Sequence, residues 1–265
     1  KRLRARGYEV YVFTNGGHGV FDDVIYQGYE AYLPQGITIN VNFPSFLPQG
    51  KTIFWSTMAN NPILPNFDIV CGISEYALKY SNLPEEAIIL PPGYDPSKVR
   101  PGNKIPKQCL YASSPDRGLV YLEKIWPNVI KKHPDATLFI TYGGEIKLPN
   151  VVNIGEVSEN EMNNLFAQSD YWVYPCDGIE LYCMSAVKAQ VSECIPVYRP
   201  FMALSETVKE GISSNLTEFE SNLIKALDMS EKEKQAIRNK LAKHHFWSWE
   251  DGVNKFEELF QKLNT

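Results

Sequence analysis

A chain of 265 residues that is 44% hydrophobic and 22% charged has enough apolar material for one large or two ordinary cores, which excludes a disordered protein. A formal net charge of -5 gives no general attraction to nucleic acid or anionic lipid, so an anionic ligand needs a local site. Five cysteines (Cys71, Cys109, Cys176, Cys183, Cys194) contain no Cys-x-x-Cys pair, and no apolar run of about 18 residues or signal-like segment stands out, so the expectation is a cytoplasmic protein with reduced thiols, at most peripheral to a membrane.

Residues 1–6 are rich in helix formers and Gly7 stops them, which predicts the tail of a helix followed by a strand over 8–14. A chain that opens inside a helix leads to the expectation that an earlier strand lies outside it, leaving an open sheet edge beside 8–14 through which copies can pair. The turn Asn15-Gly16-Gly17-His18-Gly19 lets a ligand approach the backbone, and His18 is the candidate acceptor-side residue there. Strands are predicted over 37–43, 51–56, 67–73 and 88–90, with a helix over 74–79 capped by Ser74. The turn cluster 91–97 and the polar stretch 98–107 mark a boundary. Domains are therefore expected over 1–100 and 101–250, with a terminal helix in 251–265 able to cross back to the first.

The second domain alternates regularly. Strands are predicted over 108–112, 137–142 and 151–154, helices over 119–132 and 159–169, and a strand buried on both faces over 171–175, stopped by Pro175. The loop Cys176-Asp177-Gly178-Ile179 then delivers Glu180 to the mouth of a helix in which Leu181, Met184, Val187 and Val191 recur at helical spacing. A strand over 195–198 and helices over 203–210, 218–229, 231–244 and 253–263 complete the chain. Such alternation predicts an α/β fold with a doubly wound parallel sheet, its loops after Ala112, Tyr142, Ile154 and Pro175 opening at one carboxyl edge.

Two of those loops carry chemistry. Ser113 and Ser114 offer hydroxyls, the following helix start offers N–H groups, and Arg117 offers a planar fork of donors suited to a diphosphate. Each feature has a blander reading, a helix cap with an exposed arginine and a solvated acid near a helix start. A cation for phosphate beside Glu180 for hydroxyl groups is, taken together, what a nucleotide-sugar requires.

On these residues the chain resembles the family 4 retaining glycosyltransferases, over 67–211 and most strongly over 109–200. Pro91-Pro92-Gly93-Tyr94-Asp95 is similar to the family's hinge motif, and the stretch from Ser113 to Gly118 to its phosphate motif, with Arg117 where Lys is usual. Gly155-Glu156-Val157 resembles the base-holding loop, and Glu180 the first acid of the Glu-x7-Glu motif. The resemblance implies the GT-B fold of two Rossmann-like doubly wound parallel-sheet domains, the first here short or truncated. It implies Glu180 as the catalytic residue against the donor sugar. Donor binding would fall to Ser113, Ser114, Arg117, Gly118, Gly143, Val157, Asp177, Gly178, the amides of Cys183 and Met184, and Lys188.

Two positions depart from the pattern. The second motif acid, which in the family binds ribose, should fall at residue 188, where this chain has Lys. The acceptor-side strand ends in Trp55-Ser56-Thr57, without the family's His. The implied activity is transfer of a sugar, with retention, from a nucleoside diphosphate sugar to a carbohydrate, lipid-linked or small-molecule acceptor. No Asp-x-Asp motif is present, and neither metal nor cofactor is expected. The alternative is a catalytically silent nucleotide-sugar-binding protein or subunit, which Lys188 and the short first domain favour; an epimerase of the same fold has no positive signal.

Overall fold

The computed structural model describes residues 1–13, 19–21, 24–28, 36–42, 50–59 and 67–264. The chain divides into two units, Lys1–Ile73, Leu78–Gly93 and Ser248–Thr265 in one, Ser74–Ala77 and Tyr94–Trp247 in the other.

In the first unit the chain runs through α1 (Arg2–Ala5), β1 (Tyr11–Phe13), β2 (Gly19–Phe21), β3 (Val24–Gln27), β4 (Gly36–Val41), β5 (Gly50–Ser56), β6 (Ile69–Gly72), α2 (Glu75–Tyr80), which begins among the residues grouped with the second unit, and β7 (Ile88–Ile89). Strands β4-β5-β6-β7 form an all-parallel sheet around Ile53, Phe54 and Cys71. Its central strand is pinned by Trp55, whose indole N–H donates to the Leu90 carbonyl at 2.8 Å, and by Asp68, which accepts from the Thr52 N–H at 2.8 Å. Ser74 caps α2 as its sequence predicts, accepting from the Ala77 N–H at 2.9 Å.

A separate sheet, β1-β3-β2, pairs β1 with β3 in parallel and β2 with β3 antiparallel. The sequence reading has no strand over 19–27. The reason is physical: every residue of β2 is exposed, so it lacks the apolar alternation by which a strand is recognised. Of the strand read over 8–14, Tyr11–Phe13 is strand and 8–10 are not. Residue 14, His18 and the end of the strand read over 37–43 lie outside the described residues.

The second unit continues with β8 (Ile105–Tyr111), α3 (Leu119–Lys132), β9 (Thr137–Thr141), β10 (Val151–Gly155), α4 (Glu159–Gln168), β11 (Ser169–Tyr174), α5 (Met184–Val191), β12 (Ile195–Tyr198), α6 (Leu204–Thr207), β13 (Ile212–Ser213), α7 (Phe219–Leu227) and α8 (Glu231–Leu241). The last helix, α9 (Trp249–Asn264), belongs to the first unit, where Phe256 meets Trp55 edge-on at 5.7 Å. There Arg6 bonds both Glu250 and Glu257 of α9.

All six strands of the second unit are parallel, in the order β10-β9-β8-β11-β12-β13. Counted within the unit this is 3-2-1-4-5-6, the doubly wound order. The winding reverses between β8 and β11, so the loops leaving those strands diverge and open a crevice at their carboxyl ends. β11 is buried at every position, which explains its unbroken apolar and aromatic sequence.

At the amino end of the same sheet Asp170 anchors α8. It is 1% exposed and accepts from the Lys107 N–H at 3.0 Å, from Lys234 at 2.7 Å and from Arg238. All five thiols are free and buried, and burial pushes those of Cys71 and Cys194 up to about 12. Among the described residues no helix is long and apolar enough to cross a membrane.

Candidate functional site

The loops after β8 and β11 meet at a glycine. Gly118 has φ 94°, and a Cβ on it would stand 2.3 Å from the Pro175 carbonyl oxygen. Only a residue without a side chain permits that approach, so Gly118 closes the base of the crevice. Ser185, in the first turn of α5, adds a second tie by donating to the Ala112 carbonyl at 2.8 Å.

Above this junction four side chains form a connected group. The Tyr174 hydroxyl donates to Glu180 Oε2 at 3.0 Å and stands 3.2 Å from Ser113 Oγ. With its one proton committed to the carboxylate, the phenol oxygen accepts from Ser113. Burial, reinforced by Cys183 and Glu180, pushes the Tyr174 phenol far above its ordinary value, so it remains a donor across the working pH range. Its ring is fixed by stacking on Trp172, with centroids 4.7 Å apart.

Arg117 completes the group, with Nη1 donating to the Ile179 carbonyl and lying 3.8 Å from Glu180 Oε2. That separation is an ion pair and not a hydrogen bond, and the two side chains stay 29% and 16% exposed. Gly178 gives the guanidinium room, since a Cβ there would lie 3.0 Å from Arg117 Cδ.

The backbone of Glu180 is held from behind by the segment after β12. Its N–H meets the Met202 sulfur at 3.3 Å, and its carbonyl accepts from the Ala203 N–H at 3.2 Å. Arg199 donates to the Cys176 carbonyl at 3.3 Å while its guanidinium lies over the Phe201 ring at 4.1 Å. The carboxylate is therefore placed by a clamped loop, which corrects the sequence reading. Helix α5 begins at Met184, after Cys183 in a left-handed conformation with φ 69°. A left-handed residue interrupts a helix, so Leu181 is a buried loop residue and not a helical position. The helices read over 203–210 and 231–244 shorten similarly, to α6 and α8.

The remaining predicted residues fall around this group. The Ser114 hydroxyl bonds Asp116 and holds its carboxyl below the ordinary range, while the Ser114 carbonyl accepts from the Tyr111 hydroxyl at 2.6 Å. Asp177 is exposed and bonded to Tyr121, whose phenol it raises. Gly143, φ 74°, turns the chain after β9, and Val157 packs on the core beside the loop after β10. Lys188 stands apart: half-buried, it has its ammonium lowered by desolvation and shares its field with Glu159 and Lys98. Tyr174, Ser185 and Arg199 are site residues that sequence reasoning missed.

No protein-family model matches the chain, and no curated protein does. Solved structures of glycosyltransferases do match its fold. Sucrose-phosphate synthase from Thermosynechococcus elongatus aligns with a TM-score of 0.73 at 13% identity, over 98% of this chain and 90% of its own. Anabaena HepE in complex with UDP-glucose aligns at 0.63 and 12% identity, over 80% and 72%. For S. aureus TarM, in a complex that includes UDP, the values are 0.63 and 14%, over 80% of this chain and 51% of that one, so the chain spans about half of TarM's length. The likeness is one of fold, the α/β parallel-sheet architecture of the GT-B glycosyltransferases.

Proposed function

We propose that the chain is a family 4 retaining glycosyltransferase, moving a sugar from a nucleoside diphosphate sugar to a carbohydrate, lipid-linked or small-molecule acceptor. The observation that carries this reading is the group Ser113, Tyr174, Glu180 and Arg117, gathered at the point where the winding of the sheet reverses. Open α/β sheets bind ligands in that crevice. The glycosyltransferases that share the fold, with UDP-glucose or UDP in two of the complexes, support the choice of donor.

In this reading the bond between the anomeric carbon and the diphosphate oxygen breaks while a bond to an acceptor hydroxyl oxygen forms, and the hydroxyl proton passes to the departing diphosphate. Negative charge grows on the departing diphosphate, and this reading gives its stabilisation to Arg117 and the amides of Cys183 and Met184. Glu180 accepts hydrogen bonds from the donor sugar and fixes its orientation. Tyr174 positions that carboxylate by occupying one of its oxygens. Arg117 pairs with Glu180 and the Ile179 carbonyl, partners that a diphosphate, a stronger acceptor, can replace. The donor is assigned to residues 101–250 and the acceptor side to 1–100. No metal or cofactor is invoked.

A panel of UDP-, GDP- and ADP-sugars tests the reading. The expected result is binding and slow hydrolysis of at least one donor, with Glu180→Gln losing hydrolysis while keeping the nucleoside diphosphate. Lys188 favours a second reading, a silent nucleotide-sugar binder, for which binding without hydrolysis or transfer is the signature. Absence of any nucleoside diphosphate binding overturns both.

A further inference from the structure

A cleft runs along α4, bounded on its other side by the segment 97–105 that leads into β8. Both walls lie in the second unit, and the cleft, of about 830 Å³, shares no residue with the group Ser113, Tyr174, Glu180 and Arg117. Pockets of that size are ordinarily lined by apolar and aromatic side chains. This one is lined by five carboxamides, those of Asn103, Asn160, Asn163, Asn164 and Gln168.

The four on α4 recur at the spacing by which a helix ordinarily turns an apolar stripe to one side. Asparagine is a poor helix former, so the helix itself gains nothing from this face. None of the five carboxamides has a hydrogen-bond partner among the described residues. Four are exposed, and water satisfies them. Asn163 is different: it is 5% exposed, and both the nitrogen and the oxygen of its carboxamide are buried and unpaired. An unmet donor and acceptor in one buried side chain is costly, and an occupant that draws Asn163 into hydrogen bonding recovers the cost.

The walls are held without help from the carboxamides. Lys98 donates to Glu159 at 2.9 Å, Lys104 donates to the Phe166 carbonyl at 3.1 Å, and a Cβ on Gly102 would stand 3.1 Å from that of Ala167. Val99, 3% exposed, anchors the segment between them. The cleft is thus formed before anything enters it, which keeps the ordering cost of binding low. Arg100 lines it as well, exposed and with no ion-pair partner among the described residues.

We propose that this cleft is a second ligand site and that it takes an acidic oligosaccharide. Sugar hydroxyls both donate and accept, as carboxamides do, and a run of sugars offers them in series along the roughly 12 Å of helix from Asn160 to Gln168. An acid group on one sugar meets the planar fork of Arg100. Among the described residues no carboxylate lines the cleft, and the neighbouring Glu159 is paired with Lys98. Its apolar lining is Pro101, Ile105 and Ala167, too little to seat the side chains of a peptide. The site is independent of the donor reading and stands or falls without it.

Calorimetry on the full 265-residue chain with an oligogalacturonate, a neutral malto-oligosaccharide of equal length and polyglutamate provides the test. Asn160→Ala combined with Asn164→Ala puts the best helix former at two exposed helical positions, so the fold is kept. The wild type should bind the oligogalacturonate, and the double variant should weaken it about tenfold or more. Arg100→Ala should weaken the oligogalacturonate about tenfold and leave the weaker binding of the malto-oligosaccharide unchanged. Asn163→Leu, close in volume and without an unmet donor or acceptor, should lose affinity while its urea midpoint holds or rises. A lowered midpoint in that variant would show that the carboxamide serves the fold, and the inference fails. It fails also if the wild type binds neither oligosaccharide, if polyglutamate binds as tightly as the oligogalacturonate, or if the double variant keeps full affinity.

Discussion

The two ends of the six-stranded sheet hold charged groups under opposite regimes. At the amino end Asp170 is almost wholly buried and both its oxygens are engaged, Oδ2 by the Lys107 N–H and Lys234, Oδ1 by Arg238. At the carboxyl end Arg117 and Glu180 stand 3.8 Å apart, partly exposed, with bonding capacity left over. Burial and the engagement of both carboxylate oxygens make the first cluster a fastener. Incomplete pairing beside solvent leaves the second free to exchange partners. The same residue types thus serve stability at one end and ligand chemistry at the other, and the count of satisfied donors and acceptors tells them apart.

The largest expected effect breaks the fastener. Asp170→Ala takes from Lys234 and Arg238 their buried carboxylate and leaves only the exposed Glu231, and should cost about 3–5 kcal/mol in urea unfolding. Glu180→Gln in the same assay should shift stability by under about 1 kcal/mol, the range of a partly exposed pair. Equal losses at the two sites would erase the distinction. Next in size, Arg117→Ala should weaken a nucleoside diphosphate by about 1.5–3 kcal/mol, the worth of a hydrogen bond to a charged group; calorimetry that finds full affinity removes Arg117 from the site.

Tyr174→Phe should be milder. It removes the bond to Glu180 and should raise the barrier to donor hydrolysis by about 1 kcal/mol while nucleoside diphosphate affinity stays constant. A parallel loss of affinity would show that the hydroxyl acts on the diphosphate and not through the carboxylate. The smallest effect concerns pH. The bond from Lys234 holds the Glu231 carboxyl below its ordinary value. Its contribution is therefore complete above the unfolded-state pKa and is lost as pH falls through the lowered folded value. Glu231 is 71% exposed, so solvent screening keeps the contribution under about 1 kcal/mol. Glu231→Gln should flatten the acid limb of the stability curve by no more than that.

The sequence was most legible where burial is uniform or punctuation is strong. The apolar run of β11 follows from burial at all its positions. Helix α3 occupies Leu119–Lys132 as read, between Gly118 and the His133-Pro134 stop. Legibility failed where conformation departs from residue type. Cys183 is left-handed, and nothing in a cysteine announces that, so the periodicity of Leu181 with Met184 ran the helix too far back. β2 was invisible because neither face of it is buried. At the site, motif order sufficed to put Ser113, Arg117 and Glu180 on neighbouring loops. The Tyr174 bridge was not readable, because Ser113 lies 61 positions away in sequence and the strand gave that tyrosine an adequate reason to be buried.

The burial of the thiols turns them into reporters of opening. Cys71 lies in the first unit, and Cys109, Cys176, Cys183 and Cys194 lie in the second. A thiol kept protonated and out of solvent reacts with an alkylating reagent only while its surroundings are open. Timed alkylation in mild denaturant, followed by peptide mapping, therefore clocks each unit separately in one sample. If Cys71 is modified long before the other four, the first unit opens on its own; a common rate means that the whole chain opens as one cooperative body.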